Sequence, residues 1–306
     1  MRVRRRPNVP GRVAVSAERF RNEVVVMKIF GLMVLKNEGD IVGQTLEAAL
    51  AWCDRIAILD NDSDDDTVDV IQRVARAHAE RIDFIGRYTG AFHNDLRMIP
   101  FYRLREEAAP GDWWCRLDGD EHYPQDPRAF LRGVSPLDCR VNAINLFYEY
   151  TDLDWAAWQA GQESRADRDR PITERRRYYR ATYEELRFMR HHPRLHWQGS
   201  EHWPTPRGPL ARRRILMQHF RARDPEQLKA RLAVRQVAAE KGRRKPNHHW
   251  RVAAEAWQSQ IVDHRDCHYD DHTGAFAYSA QRFDDPASKR FGQSLKRVAM
   301  AVGWRI

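Results

Sequence analysis

Between Lys28 and Asp118 the sequence alternates short apolar runs with amphipathic stretches, and this alternation constrains the fold more than any other feature. Four runs have the length of a strand: "KIFGLMVL", "RIAILD", "RIDFIGRY" and "WWCRLD". The stretches between them carry apolar residues at helical spacing. A continuous apolar run such as the first is typical of a strand buried on both faces. The repeated order of strand and helix predicts an α/β fold with a doubly wound, mostly parallel sheet.

Polar clusters directly follow three of these strands, at residues 36–38, 60–66 and 118–121. Open sheets of this type bind ligands at the carboxyl ends of their strands. Because parallel strands end at the same edge, the three clusters are expected to converge there. The sequence therefore predicts a ligand site at this edge of the sheet.

The stretch "CRLDGDEHYP" ends the fourth strand with two carboxylates that flank a glycine. Asp118 and Asp120, two residues apart on a turn, can face one hard cation such as Mg²⁺ or Mn²⁺, which in turn bridges the diphosphate of a ligand. An acidic surface turn is the alternative. Asp60 closes the second strand, where its carboxylate can accept hydrogen bonds from a base or ribose. The aspartates after it, in "NDSDDDT", are expected to be mainly solvated or to cap the next helix.

The net charge and the number and spacing of the cysteines limit the possible classes of protein. The chain of 306 residues has a net charge of +9 and a pI of about 9.6, which suits an anionic ligand. The four cysteines are widely spaced and predict neither a disulfide framework nor a cysteine zinc site. No run reaches the roughly 18 to 20 apolar residues of a membrane span. A cytoplasmic protein is expected, with peripheral contact at the inner membrane face left open.

Three segments in order, "LMVLKNEGDIVGQTLEAAL", "RIAILDNDSDDDTVDVI" and "WWCRLDGDEHYP", resemble family 2 glycosyltransferases, specifically the branch whose strand-end motif reads like "LDADE". The resemblance covers about Lys28 to Leu131. It implies a GT-A fold and a nucleotide-sugar donor, with Asn37 and Glu38 at the family's Asn-Glu pair. It also implies that Asp60 contacts the nucleotide, that Asp118 helps to hold nucleotide or ribose, and that Asp120 binds the metal.

The downstream segment "HFRARDPEQ" is similar to the same branch, in which a histidine precedes a segment like "RSPEQ". The resemblance implies that His219 completes the metal shell or touches the phosphates; a strand-end histidine bonded to backbone is the alternative. The cofactor implied is Mn²⁺ or Mg²⁺. No motif fixes the general base of an inverting transfer, for which Glu149, Asp152 and Glu201 are candidates by position.

The sequence also departs from the family. Asp62 replaces the glycine of the second motif, which is expected to alter that turn, and the "QxxRW" motif of processive members is absent. The expected activity is transfer of a sugar to a glycan or glycolipid hydroxyl, in synthesis of cell-surface polysaccharide or lipopolysaccharide.

Rival functions rest on other features. The same carboxylates and cation would serve a nucleotidyltransferase or phosphohydrolase, although "KNEGD" stands where a glycine-rich phosphate loop is expected. The arginine runs at 175–177 and 212–214 suggest nucleic-acid binding, but no motif of such a fold is present. Histidines 264, 268 and 272 lie four apart and suggest zinc on a helix face, although turn residues argue that the helix ends before the last of them.

Three regions are predicted. Residues 1–26 form a basic, disordered extension, which could contact phosphates or acidic lipid, or could precede a natural start at Met27. Residues 27–223 form the GT-A-like domain, with a nucleotide-binding half at 27–131 and an acceptor-side half at 132–223. Residues 224–306 form a helical extension that opens with a helix capped by Asp224. Within the domain, Asp40 is expected to cap the first helix, and residues 159–180 to form a mobile or substrate-facing loop.

Overall fold

A computed structural model describes residues 27–199, 201–240 and 253–302. The predicted extension at 1–26 lies outside the described residues. The strands are β1 (Ile29–Leu35), β2 (Arg55–Asp60), β3 (Ile82–Arg87), β4 (Trp113–Leu117), β5 (Glu121–His122), β6 (Arg140–Tyr148), β7 (Tyr178–Arg190), β8 (Ile215–His219) and β9 (His268–Tyr269). The α-helices are α1 (Val42–Leu50), α2 (Thr67–Ala77), α3 (Met98–Leu104), α4 (Pro127–Arg132), α5 (Asp152–Gln159), α6 (Ile172–Arg175), α7 (Pro225–Glu240) and α8 (Ala287–Ala301).

The described strands form one sheet in the order β3-β2-β1-β4-β7-β6-β8-β5, with β9 beside β7. The first four strands along this order pair in parallel, as the sequence predicts. Beyond β4 the sheet becomes mixed, because β7 pairs antiparallel with both β4 and β6, while β6 and β8 are parallel. The α/β fold class is confirmed.

Helices cover both faces of the parallel half. Alternate residues of β1 point to opposite faces, so Ile29, Met33 and Leu35 join a core with α1, α2 and α4. Phe30 and Leu32 join a second core, with α3 and tryptophans from β4 and the segment after β7. This packing is the doubly wound arrangement that the alternation of elements predicts.

The expectation of a loop at residues 159–180 is wrong for the end of that segment. Residues 172–175 form α6, and β7 begins at Tyr178. The arginine run there is also not a surface patch: the side chain of Arg176 is fully buried and pairs with Asp154 and Glu163. The two carboxylates that neutralise Arg176 come from 22 and 13 residues earlier in the chain.

Asp40 does not cap α1, since the helix has no side-chain cap. The prediction for α7 is confirmed: the helix starts at Pro225, and Asp224 Oδ1 accepts a hydrogen bond from Gln227 N at 2.8 Å. In the part of the chain that the structure describes, no helix combines the length and apolar character that crossing a bilayer requires.

Candidate functional site

The turn after β4 brings two neighbouring strand-end loops into contact. A Cβ added to Gly119 would lie 3.2 Å from both Cβ and Cγ of Glu38 in the loop after β1. A side chain there would push the loops apart, so glycine allows this close approach. The β1 and β4 clusters therefore meet at the carboxyl edge of the sheet, as the strand order predicts.

Asp118 and Asp120 point to separate partners. Asp118 accepts hydrogen bonds from Arg97 Nη2 and Arg187 Nη1, each at 3.1 Å. Burial raises the pKa of Asp118, but Arg187 and Arg97 lower it by more, so that the net pKa lies below its ordinary value. The side chain is ionised at neutral pH and fixed in orientation.

Asp120 lies against His219 and two arginines. Its Oδ2 is 3.3 Å from His219 Nε2, 3.3 Å from Arg231 Nη1 and 3.7 Å from Arg223 Nη1. The contact with His219 follows from the pairing of β5 with β8, which places His219 opposite Glu121. Burial raises the pKa of Asp120, but His219 and the arginines lower it further, so the net pKa is depressed. The two predicted metal ligands are thus neighbours in space.

Glu121 supports the turn from beneath. It is 1% exposed, its Oε2 accepts a hydrogen bond from Asp118 N at 3.2 Å, and its Oε1 pairs with Arg187. Burial raises its pKa in spite of Arg187. The side chain holds the position of Asp118 and is closed to a ligand.

A buried guanidinium ties the β1 loop to the segment after β8. Arg223 donates to both carboxylate oxygens of Asp40, at 2.6 and 2.7 Å, which explains why Asp40 does not cap α1. Arg223 Nη2 also lies 2.6 Å from Glu38 Oε2, although outside hydrogen-bonding geometry, since that buried oxygen has no hydrogen-bond partner. Burial raises the pKa of Glu38 to about 8, with Arg223 opposing.

A cavity of about 470 Å³ opens beside this cluster, between the loops after β1 and β2 and helix α7. Asn37, Glu38 and Asp40 line it on one side, and Arg231 and Arg235 of α7 line it on the other. The lining also includes the cations Lys36, Arg165 and Arg168 and the carboxylates Asp64, Asp65, Asp66 and Glu226. The volume lies within the usual range for small-molecule sites, and the cations suit a ligand that carries phosphates.

The turn after β2 keeps a conformation that glycine adopts easily. Asp62 in this turn has φ 64°, and Asn37 in the loop after β1 has φ 55°. Asp and Asn tolerate this left-handed region better than most other side chains. The side chains of Asn37 and Asp64 then bond across the two loops, at 2.6 Å. These contacts set the wall of the cavity.

The other predicted site residues lie elsewhere. Asp60 is fully buried under the β2 loop, where it binds Ser63 and Arg87 and does not line the cavity. Glu149 is 1% exposed, and both its oxygens receive guanidinium groups from Arg180 and Arg221.

The two remaining candidates for the base are on the surface. Asp152 accepts hydrogen bonds from His264, and although its slight burial raises its pKa, these bonds lower it by more. Glu201 is exposed and pairs with Arg207. The structure therefore brings Asn37, Glu38, Asp118, Asp120 and His219 to one edge of the sheet, where Asn37 and Glu38 line the cavity and the other three lie beside it. The base candidates stay predictions.

The histidines suggested for zinc do not share a helix. His264 lies in a short 3₁₀ turn and His268 in β9. Among the described residues, His264 with Asp152 and Asp263 is the one group of three close enough to share a metal. It is partly exposed, and its acids are already bonded to His264 and Arg265.

The side chains around Asp120 include donor groups for a divalent cation. The carboxylate of Asp120 and the imidazole of His219 converge. Two further carboxylates, Glu38 and Asp40, lie nearby. Arg223 pairs with all three acids, and Arg231 pairs with Asp120. The carboxylate of Asp120, the imidazole of His219 and the Glu38 oxygen without a hydrogen-bond partner are donors that fit a cation. Mg²⁺-type ions often take one or two protein carboxylates and complete the shell with substrate phosphates and water, so the residues fit a cation bound together with a diphosphate.

Sequence reasoning missed the arginines of the site. Arg187 comes from β7, Arg223 from the segment after β8, and Arg231 from α7. The local pattern around each gives no signal of its partner. Only the closeness of Arg223 to His219 in "HFRARDPEQ" marks one of them in advance.

The chain has only weak similarity to known proteins. No family model matches the sequence, and no curated protein does. A mannosyltransferase from Pyrobaculum calidifontis, solved in complex with GDP-Man and Mn²⁺, is similar over 90% of this chain and 86% of its own, with 9% identity and a TM-score of 0.36. Glucosyl-3-phosphoglycerate synthase from Mycobacterium tuberculosis, in complex with phosphoglyceric acid, is similar over 40% of this chain and 44% of its own, with 16% identity and a TM-score of 0.25. Both TM-scores are low, so the function proposed below rests on the geometry of the site.

Proposed function

We propose that the protein is a glycosyltransferase that moves a sugar from a nucleotide-sugar donor to a hydroxyl of a glycan or glycolipid, with inversion and with a divalent cation, Mn²⁺ or Mg²⁺. One observation carries the proposal: the strand-end loops after β1, β2 and β4 and the end of β8 converge beside a cavity that is lined by both carboxylates and cations. A nucleoside diphosphate needs both a cation and basic groups.

The roles follow from position. Asn37 and Glu38 line the donor cavity, and Arg231 and Arg235 face it from α7 to bind phosphate oxygens. Asp118, fixed by Arg97 and Arg187, is proposed to orient the nucleotide. Asp60 supports the β2 loop from below.

Asp120 and His219 would hold the cation, whose chemistry is to stabilise the negative charge of the departing diphosphate. Arg231 lies within reach of both Asp120 and the cavity. It can therefore place a second positive charge beside that leaving group as the glycosidic bond breaks.

The proposal is tested by titrating UDP-, GDP- and dTDP-sugars into the full chain with and without Mn²⁺ in a calorimeter. We expect one class to bind with Mn²⁺ and Asp120→Asn to weaken that binding by at least about 100-fold, because an anionic metal ligand is lost. The control is Asp112→Asn, a buried aspartate at the opposite end of β4 that bonds Lys28 N and Ala109 N. Binding that is absent for every donor, or unchanged in Asp120→Asn, would refute the proposal.

Analysis of the products separates the proposal from its closest rival. A glycosyltransferase releases a nucleoside diphosphate and leaves the sugar on the acceptor. A nucleotidyltransferase forms a nucleotide sugar from a nucleoside triphosphate and a sugar phosphate, with release of pyrophosphate. The second pattern would replace the proposed function.

A further inference from the structure

Helix α8 presents an apolar stripe to solvent. Phe291, Leu295, Val298 and Val302 are 65%, 54%, 61% and 67% exposed. Their spacing of four, three and four residues places them on one side of an α-helix. Single exposed apolar residues are ordinary, but an aligned row of them marks an interaction surface.

The opposite side of α8 is fastened to the domain, so the stripe has a fixed direction. Gln293 Oε1 accepts a hydrogen bond from Leu210 N at 2.8 Å. Arg297 Nε lies 2.6 Å from Asp138 Oδ1, and its Nη2 donates to Leu210 O at 2.6 Å. Met300 Sδ lies 3.9 Å from Cys139 Sγ. The helix is held by its polar side and turns its apolar side outward, the reverse of a helix that packs on a core.

The charged residues of α8 itself have one sign. The sequence of α8 contains two lysines and two arginines and no acidic residue. Arg290 and Lys296 are exposed on either side of the stripe, and the exposed Arg212 and Arg213 share a surface groove with Ser294 of the helix. A surface of this charge fits a partner that is apolar within and anionic at its boundary.

We propose that α8 docks this protein onto the surface of a bilayer that contains anionic lipid. A helix lying in the interface buries its apolar side at the boundary of headgroups and acyl chains, while lysines and arginines contact lipid phosphates. The stripe and its flanking cations provide both parts.

A second copy of the chain fits this surface less well. Pairing two α8 helices along their stripes would bring Arg290 and Lys296 of each copy near like charges, with no acid on the helix to offset them. The arginine-rich residues 1–26 carry the same sign of charge. Anionic lipid is the partner whose charge complements the helix.

The docking surface is remote from the proposed donor site. Helix α8 contacts Asp138, Cys139 and Leu210, which precede β6 and β8, and its Lys289 pairs with Glu184 of β7, whereas His219 ends β8. Substitutions on the stripe should therefore leave nucleotide binding intact, and the inference stands independently of the proposed function.

The test is flotation of the full chain with vesicles of phosphatidylcholine alone and of phosphatidylcholine mixed with phosphatidylglycerol. We expect the unchanged protein to bind the mixed vesicles. The double variant Leu295→Gln/Val298→Gln should bind them about tenfold more weakly or worse, because two apolar side chains leave the acyl boundary. Lys296→Gln should weaken the same binding about fivefold. Leu153→Gln is the matched control, since Leu153 on α5 is 45% exposed and lies outside the stripe. It should float like the unchanged protein.

Thermal unfolding of each variant establishes that its fold is intact. The proposal is overturned if the unchanged protein does not bind mixed vesicles, or if the double variant binds as well as the control. A third outcome also overturns the proposal: the unchanged protein does not float and is a dimer in light scattering, whereas the double variant is a monomer. The stripe would then bind a second copy of the chain.

Discussion

Arg187 is the residue on which the β4 turn depends most. Its guanidinium is 1% exposed and pairs with Asp118, Glu121 and Glu185. We expect Arg187→Met to lower the free energy of unfolding by about 3 to 5 kcal/mol, because buried carboxylates would lose their cation. Urea unfolding at neutral pH measures this difference.

Arg103→Met is the matched control for that experiment. Arg103 is solvent-exposed and pairs with Asp83, and exposed pairs contribute little to stability. Equal destabilisation by the two substitutions would show that the cluster of three carboxylates does not depend on Arg187.

His122 gives the pH dependence of stability near the site. Burial lowers its pKa to about 4, against an ordinary value of 6.5, with Asp120 opposing. The unfolded chain therefore binds the proton first as pH falls, and stability is lost between about pH 6.5 and 4. We expect the unchanged protein to lose about 1 to 2 kcal/mol more than His122→Gln between pH 7 and 5. Parallel losses in urea titrations would show that His122 does not carry this dependence.

The sequence predicts where the carboxylates of the site lie in the fold, but it does not predict which arginines pair with them. Asp118 and Asp120 follow an apolar run that fixes them at a strand end, so local pattern suffices. Arg187 and Glu121 are 66 residues apart, and a pairing at that separation depends on which strands become neighbours. Arg176 shows the same difficulty, since a run of arginines has the same composition whether it faces water or carboxylates.

At the scale of elements, α7 closes one side of the cavity, and its start is held by Asp224. This carboxylate caps Gln227 N and pairs with Arg168 at 2.9 Å. We expect Asp224→Ala to destabilise the protein by about 1 to 2 kcal/mol and to weaken donor binding at least about fivefold, because Arg231 and Arg235 would lose their fixed positions.

The cap of α4 provides the comparison. Asp126 caps Arg128 N at 2.9 Å, in a helix that does not line the cavity. Asp126→Ala should cost a similar amount of stability with donor affinity unchanged in calorimetry. A loss of affinity in both variants would mean that global loosening, rather than the position of α7, controls binding.

The strand β7, which the sequence did not reveal, has different surroundings from the strands of the parallel half, which it did. β1, β2 and β4 are buried on both faces, so their residues form apolar runs. β7, "YYRATYEELRFMR", lies between β4 and β6, yet many of its side chains are charged and only partly buried. Glu184, Glu185 and Arg187 form ion pairs with residues of other segments. A pattern of apolar residues cannot predict a strand whose side chains are held by ion pairs.

At the scale of the whole molecule, the predicted halves at 27–131 and 132–223 share one sheet and one core. β4 of the first half pairs with β7 of the second. The largest core cluster contains Met33 and Ile58 from the first half and Val141, Phe188 and Ile215 from the second. The sequence predicted the parallel half well, but the joining of the halves depends on β7, which it did not reveal.

This continuity predicts that the two halves unfold together. Far-UV circular dichroism reports on all elements, while fluorescence reports on tryptophans in both halves, including Trp114 and Trp197, which share one cluster. We expect both signals to follow a single transition in urea, as for a two-state domain. A chain that ends after residue 131 should show no cooperative transition, because β4 would become an open edge and its core would face water. Separate transitions in the full chain, or a folded fragment, would contradict this and would make 27–131 a domain that folds in isolation.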